Sequence, residues 1–197
     1  MKILMLTPYL PYPPSAGGQI RSYNLIKHLS KHHEITLVCF TRGTNTSEQV
    51  THMEKYCKKV IVFKRGKAWT IPNILRTGFS PYPFLVSIYY SPEIKQRLTE
   101  EINQGGYDLI HAETFYVMPY IPKNNLPMFL AEQTIMSRVF NHYVMHEAPW
   151  WLRPLLWIDV AKIWYWEKHY WQMVKQIAAV SEEDADIIRK VVPGTVV

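Results

Sequence analysis

Two stretches of this 197-residue chain carry side chains and spacings suited to chemistry. The first runs from Pro8 to Arg21, where a proline-stiffened loop, Tyr9-Leu10-Pro11-Tyr12-Pro13-Pro14, leads to the glycine pair Gly17-Gly18. Glycine takes positive φ at no steric cost and lets a ligand approach the backbone, and the free N–H groups of a helix starting there favour anionic oxygens. Arg21, one turn further on, adds a charge-assisted contact to phosphate or carboxylate. A plainer reading stands beside this one, in which the glycine pair closes a tight turn and Arg21 is solvated. The second stretch is Asp108 to Glu113. Asp108, His111 and Glu113 end a central strand, and in open parallel sheets ligands sit outside the carboxyl ends of strands. Here too a structural role competes: Asp108 capping the turn after Gly105-Gly106, and His111 as a hydrogen-bonded strand-end residue.

Other chemistries lose ground on spacing. G-x-G-x-x-G is absent, which argues against a dinucleotide-dependent dehydrogenase. His142 and His146 stand four apart beside Glu147, but a third ligand is lacking and the order is not H-E-x-x-H, so neither a metal nor a cofactor is expected. Cys39 and Cys57 belong to no CxxC or Cys/His pattern and read as free thiols in a reducing compartment. The net charge of +6 permits attraction to phosphates, anionic lipid or acidic partners. Nucleic acid is not an expected partner, since there is no Lys/Arg run, zinc-finger spacing or stacking-sheet motif. Lys2 is followed by too short an apolar run for a signal peptide, and no run of about 18 apolar residues could span a bilayer. The expected location is cytoplasmic, with the inner face of a membrane as an option.

The elements that must position these residues follow from periodicity. Lys2 to Leu6 is too short for a helix and reads as a buried parallel strand. From Gln19 the spacing becomes helical, with Ile20, Tyr23, Leu25, Ile26 and Leu29 on one side. Glu34 to Phe40 is a second strand, Thr41 to Ser47 a polar loop, Glu48 to Lys58 a helix and Val60 to Phe63 a third strand. The order βαβαβ predicts parallel strands with helices on both faces. Lys64 to Tyr90, with Pro72, Pro81 and Pro83 among aromatic residues, predicts short helical turns. Ser91-Pro92-Glu93 opens a helix that Gly105-Gly106 stops. Strands are predicted at Tyr107 to His111, Leu126 to Ala131 and Gln176 to Val180, with a helix from Ser181. Val192 to Val197 resembles a strand beginning, at which the chain stops, as a domain of a longer protein would. The fold class is a single doubly wound, Rossmann-like α/β domain over 1–197 with a mainly parallel sheet of about six or seven strands.

Residues 133–175 are predicted to be helical, and 150–171 holds six of the seven tryptophans. Three roles fit them: core packing beside Leu155, Leu156, Ile158, Val160 and Ile163; a membrane-facing surface with Arg153, Lys162 and Lys168 meeting anionic headgroups; or a docking face for another domain or subunit.

Several stretches in order resemble one family. Lys2-Ile3-Leu4-Met5-Leu6-Thr7-Pro8 with Pro13-Pro14, Gly17-Gly18, Arg21 and Asn24-Leu25, then His33-Glu34-Ile35-Thr36-Leu37-Val38, is similar to the amino-terminal domain of family 4 (group 1) retaining glycosyltransferases with the GT-B fold. Tyr107-Asp108-Leu109-Ile110-His111-Ala112-Glu113 resembles that family's central strand and following loop, and Ala179-Val180-Ser181-Glu182-Glu183-Asp184 its approach to the interdomain linker. The resemblance implies an acceptor-holding domain that works with a carboxy-terminal domain carrying the nucleotide-sugar donor. It places Gly17 and Gly18 towards the donor phosphates with Arg21 nearby, and His111 and Glu113, the candidate catalytic pair, on the acceptor side. It further implies transfer with retention to a glycan or lipid-linked acceptor in cell-envelope or exopolysaccharide assembly, usually without a metal, and little activity for this half alone. Many relatives carry Glu-His-Asn where this chain has Glu132-Gln133-Thr134. Gln133 can hydrogen-bond a sugar hydroxyl but cannot act as an imidazole base. The rival is a stand-alone Rossmann-like module that binds a small anion in the same crevice.

Overall fold

The computed structural model describes residues 1–43 and 46–197, the side chain of Pro92 excepted. Its first strand, β1 (Lys2–Thr7), is buried from Ile3 onward, as a central parallel strand requires. Helix α1 (Gly17–Leu29) leads to β2 (Glu34–Thr41), α2 (Ser47–Met53) and β3 (Lys59–Lys64). The polar loop expected over 41–47 includes residues 44 and 45, which lie outside the described residues. Then come α3 (Ile71–Phe79), the single turn α4 (Phe84–Ser87), α5 (Pro92–Gly105) and β4 (Leu109–Glu113). A 3-10 turn (Phe115–Tyr120), β5 (Met128–Glu132), α6 (Met136–His146), α7 (Arg153–Met173), β6 (Gln176–Ala179) and α8 (Glu182–Val191) complete the fold. The strands lie in the order β3-β2-β1-β4-β5-β6, every neighbouring pair parallel.

Side chains alternate across each strand, so the sheet builds two cores. Met5, Ile35, Leu37 and Cys39 pack with Ile26 of α1 and Met53 of α2 on one face. Leu4, Leu6, Val38, Ile110 and Leu130 pack with residues of α5, α7, α8 and the 3-10 turn on the other. Ile26 alone, fully buried, contributes about 2 kcal/mol by removal of apolar surface from water.

Several boundaries move for identifiable reasons. Helix α2 ends at Met53 rather than near Lys58, because Cys57 enters the core and the Lys58 N–H donates to Ile35 O at 2.8 Å, drawing the chain into the sheet. Strand β4 starts two residues later than expected, since Asp108 turns at the sheet's amino edge: its Oδ2 accepts from Lys2 N at 2.7 Å. Gly106 stops α5 at φ 61°, ψ 48°, and Ser181 Oγ caps α8 by accepting from Asp184 N at 3.1 Å. The terminal 192–197 segment forms only a bridge from Val196 to Gln176, so the sheet has six strands among the described residues.

Core packing accounts for only part of the tryptophan-rich stretch. Helix α7 turns one stripe inward, Val160, Ile163, Glu167, Tyr170 and Trp171, at helical spacing. Trp171 is 3% exposed and Trp166 packs at the edge of the core, whereas Trp150, at 79%, and Trp151, Trp157 and Trp164 are exposed. No described helix is long and apolar enough to cross a membrane.

Candidate active site

The strand order reverses between β1 and β4, and a crevice outside their carboxyl ends is where open α/β sheets bind ligands. Glu113, the last residue of β4, is wholly buried there. Arg21, from the second turn of α1, reaches across and donates from Nη1 to Glu113 Oε1 at 2.9 Å and Oε2 at 2.7 Å. Gln133, just beyond β5, donates from Nε2 to Oε2 at 2.6 Å. His111 lies two residues before Glu113, hence on the same face of β4, and its Nε2 sits 3.1 Å from Oε1. With its proton on that nitrogen, His111 is the third donor and makes the fourth hydrogen bond to the carboxylate.

Burial works to raise the Glu113 pKa, but the His111 ring, the Arg21 guanidinium and the Gln133 amide outweigh it and hold the carboxyl below its ordinary value. A carboxylate with both oxygens filled in this way is a fixed anchor rather than a proton acceptor. His111, 4% exposed, is buried with it, its ring 4.9 Å from that of Phe129. The groups presented to the crevice are therefore Arg21 and Gln133, aimed by Glu113.

Sequence reasoning missed Ser22 and Thr114, and gave Tyr9, within the Pro8 to Arg21 stretch, no role of its own. Gln133 Nε2 also donates to Tyr9 Oη at 2.6 Å, and Tyr9 Oη lies 3.1 Å from Ser22 Oγ. Thr114 follows Glu113 with φ 76° and ψ 150°, a region nearly reserved for glycine and costing of order 1–3 kcal/mol. That strain falls where the chain must leave β4 after placing Glu113. Tyr9's position just past β1 was the one available signal.

Gly17 and Gly18 lie in the first turn of α1, neither with positive φ; among the described residues Gly106 is the glycine that has it. The two are not equivalent. A Cβ on Gly18 would stand 2.4 Å from Gln133 Oε1 and 2.6 Å from Tyr9 Oη, whereas one on Gly17 would meet nothing within 4 Å. Gly17→Ala is accordingly expected to leave thermal stability unchanged or raise it by up to about 1 kcal/mol. A melt showing a clear loss would mean that the open space at Gly17 is filled in solution.

Glu132 belongs to the support rather than the crevice surface. It is buried, and its Oε1 accepts from Trp171 Nε1 at 3.2 Å, tying β5 to α7. Burial, and then the charge of Glu167, push its pKa well up. Glu167 in turn accepts from the first N–H groups of α6, Met136 at 2.6 Å and Ser137 at 3.2 Å, and burial raises its pKa to about 7. Asp108 sits at the opposite end of β4 from Glu113 and takes the structural role. The His142 and His146 rings lie 4.5 Å apart, and no three ligating side chains cluster about them or elsewhere among the described residues.

Together these features define a Rossmann-like α/β domain with its ligand crevice at the reversal of strand order. Residues 15–197 match the model of Glycosyltransferase Family 4, and the chain belongs to that family. Among solved structures the fold is similar to Phytolacca americana UGT2 complexed with UDP-2fluoro-glucose and pterostilbene, at 11% identity and a TM-score of 0.45. That likeness covers 93% of this chain and 48% of the other, so the chain spans about half the length of that protein. No curated protein matches.

Proposed function

We propose that this chain is the acceptor-side domain of a retaining glycosyltransferase of the GT-B type. The observation that carries the reading is the Glu113 anchor at the strand-order reversal, holding Arg21 and Gln133 at the start of α1 in a member of Glycosyltransferase Family 4. A carboxy-terminal domain would hold the nucleotide-sugar across the cleft, its diphosphate facing Gly17, Gly18 and the positive end of α1. Arg21 and the helix dipole would stabilise charge growing on the departing diphosphate as its bond to the sugar breaks, with no metal or cofactor taking part. Gln133 and the Tyr9 hydroxyl would orient the acceptor oxygen that forms the new glycosidic bond as its proton passes to the departing diphosphate. The test is an assay of the protein joined to its donor domain, with a panel of nucleotide-sugars and glycan or lipid-linked acceptors of the cell-envelope type. The expected product carries the anomeric configuration of the donor. Inversion would refute retention, and hydrolysis or transfer absent for every donor would favour the anion-binding module.

The acceptor is proposed to be met at a membrane. Leu155 and Ile158 of α7 and Phe79 of α3, 90% exposed, line a groove of about 1150 Å³ running between α3, α6 and α7, and Trp150 and Trp151, just before α7, are exposed as well. Exposed aromatic residues favour the lipid interface. Lys162 is not available to headgroups, since its Nζ donates to Thr77 O at 2.6 Å and Ser80 O at 2.8 Å. Flotation with anionic phosphatidylglycerol vesicles is expected to recover the native chain, with about tenfold weaker binding for Trp150→Ser/Trp151→Ser. Equal recovery of both would place any lipid contact elsewhere.

A further inference from the structure

A second concavity, about 400 Å³, opens beside the crevice and shares Tyr9 with it. The sheet register creates its character. Thr41 pairs with Lys64 at the ends of β2 and β3, so the residues that follow, Arg42 and Arg65, emerge as neighbours from adjacent strands. Both line the pocket, together with Tyr12 and Gln19 of the loop and helix after β1. Among the described residues no carboxylate lies within ion-pairing distance of either guanidinium, whereas Arg21, Arg97, Arg138 and Arg189 each have one.

Arg65 is held rigidly. Its Nη1 donates to Tyr89 Oη at 2.7 Å, and its guanidinium lies 4.4 Å from the Tyr89 ring centre. Its Nε is buried with no hydrogen-bond partner. A buried donor left unmatched costs about 1–3 kcal/mol, and a like charge alongside adds to the cost. Burial, with the nearby charge of Arg42 in the same sense, lowers the Arg65 pKa. An anion entering the pocket would pair with two guanidinium groups that have no carboxylate partner among the described residues and relieve the repulsion between them. The fork geometry of guanidinium suits phosphate oxygens.

We propose that Arg42 and Arg65 form a subsite for a phosphate or diphosphate group on the acceptor. The assignment rests on the acceptor-side reading above, and it makes the substrate a phosphorylated one, either a soluble glycosyl phosphate or a prenyl-diphosphate-linked glycan. Isothermal titration of this chain with inorganic pyrophosphate is expected to show saturable binding. Arg42→Ala, at an exposed position, and Arg65→Gln should each weaken it at least tenfold with the fold intact by circular dichroism. Arg189→Ala, on the far-removed α8 ion-pair cluster, should leave it unchanged. Glucose 1-phosphate and geranyl diphosphate then separate the two sources: equal affinities support a soluble acceptor, and tighter binding of the prenyl compound supports a lipid-linked one. No saturable binding, or binding untouched by both variants, overturns the subsite. Tighter binding of a nucleoside diphosphate than of either compound, abolished by the same variants, assigns the pocket to the donor and overturns it as well. No sugar transfer enters this measurement, so its failure leaves the transferase reading standing, while pyrophosphate binding without any transfer would strike that reading and leave the pocket as an anion site with no acceptor role.

Discussion

Gly18→Ala is expected to lower kcat/KM for sugar transfer about 100-fold while moving the melting temperature by less than about 4 °C. The new methyl group would fall 2.4 Å from Gln133 Oε1 and 2.6 Å from Tyr9 Oη, both well inside contact distance. These atoms are the tips of long side chains, so they can swing aside and the fold loses little. What they cannot do is swing aside and keep their bonds. Gln133 would leave Glu113 Oε2, now 2.6 Å away, and Tyr9 would leave Gln133. Misplacement of positioning groups by about 1 Å is worth roughly two orders of magnitude in rate. Gly18→Asp should be worse, because a second carboxylate would stand beside Glu113 and in the path of donor phosphates. Parallel kinetics and melts on the protein joined to its donor domain separate the cases. Unaltered turnover would remove the site from Gly18, and a collapse in melting temperature would make the glycine structural.

Glu167→Gln should stabilise the protein by about 3 kcal/mol at pH 8 and leave it nearly unchanged at pH 4. Burial raises this carboxyl from 4.5 to about 7, so the folded chain holds a proton that the unfolded chain gives up. Stability on this account is fullest below about 4.5, declines as pH rises towards 7, and stays low above it. Glutamine resembles the protonated form and keeps an oxygen for the Met136 and Ser137 N–H groups. Removing the Glu167 charge also eases Glu132, whose pKa burial and Glu167 raise together. Denaturant unfolding at the two pH values measures the difference; a variant equally destabilised at both would show Glu167 to be ionised and needed as such. Glu113 has the opposite sign. Its lowered pKa means that its contribution is present above the ordinary carboxyl value and is lost as pH falls through the folded one.

Local pattern revealed what local forces determine. The apolar run of β1, the change to helical spacing in α1, the Gly106 stop and the Ser181 cap are each set by a few adjacent residues; the strand, the stop and the cap stand where the sequence places them, while α1 begins at Gly17, two residues before the expected Gln19. So does Glu113 at the carboxyl end of a central strand, because parallel topology fixes which end carries the ligand. Long-range contacts stayed hidden. Gly18 looked like a residue needing unusual φ, whereas its constraint comes from Gln133 and Tyr9, two side chains that are 124 positions apart and meet only in the fold. A two-residue shift in β4 sent Asp108 to one end of the strand and Glu113 to the other. Apolar content marked the tryptophan stretch as buried or interfacial, but only the packing of α7 decides that Trp171 is the former and Trp150 exposed. The Arg42 and Arg65 pocket depends on strand register, which spacing along the chain does not encode.

The most direct measurement is the rate of sugar transfer by the protein joined to its donor domain, native against Glu113→Gln, at matched fold. If a buried anchor aims Arg21 and Gln133 at the reacting groups, the amide variant loses most of its transfer while its melting transition stays cooperative. Equal rates for the two proteins would contradict the site and, with it, the role assigned to the crevice between β1 and β4.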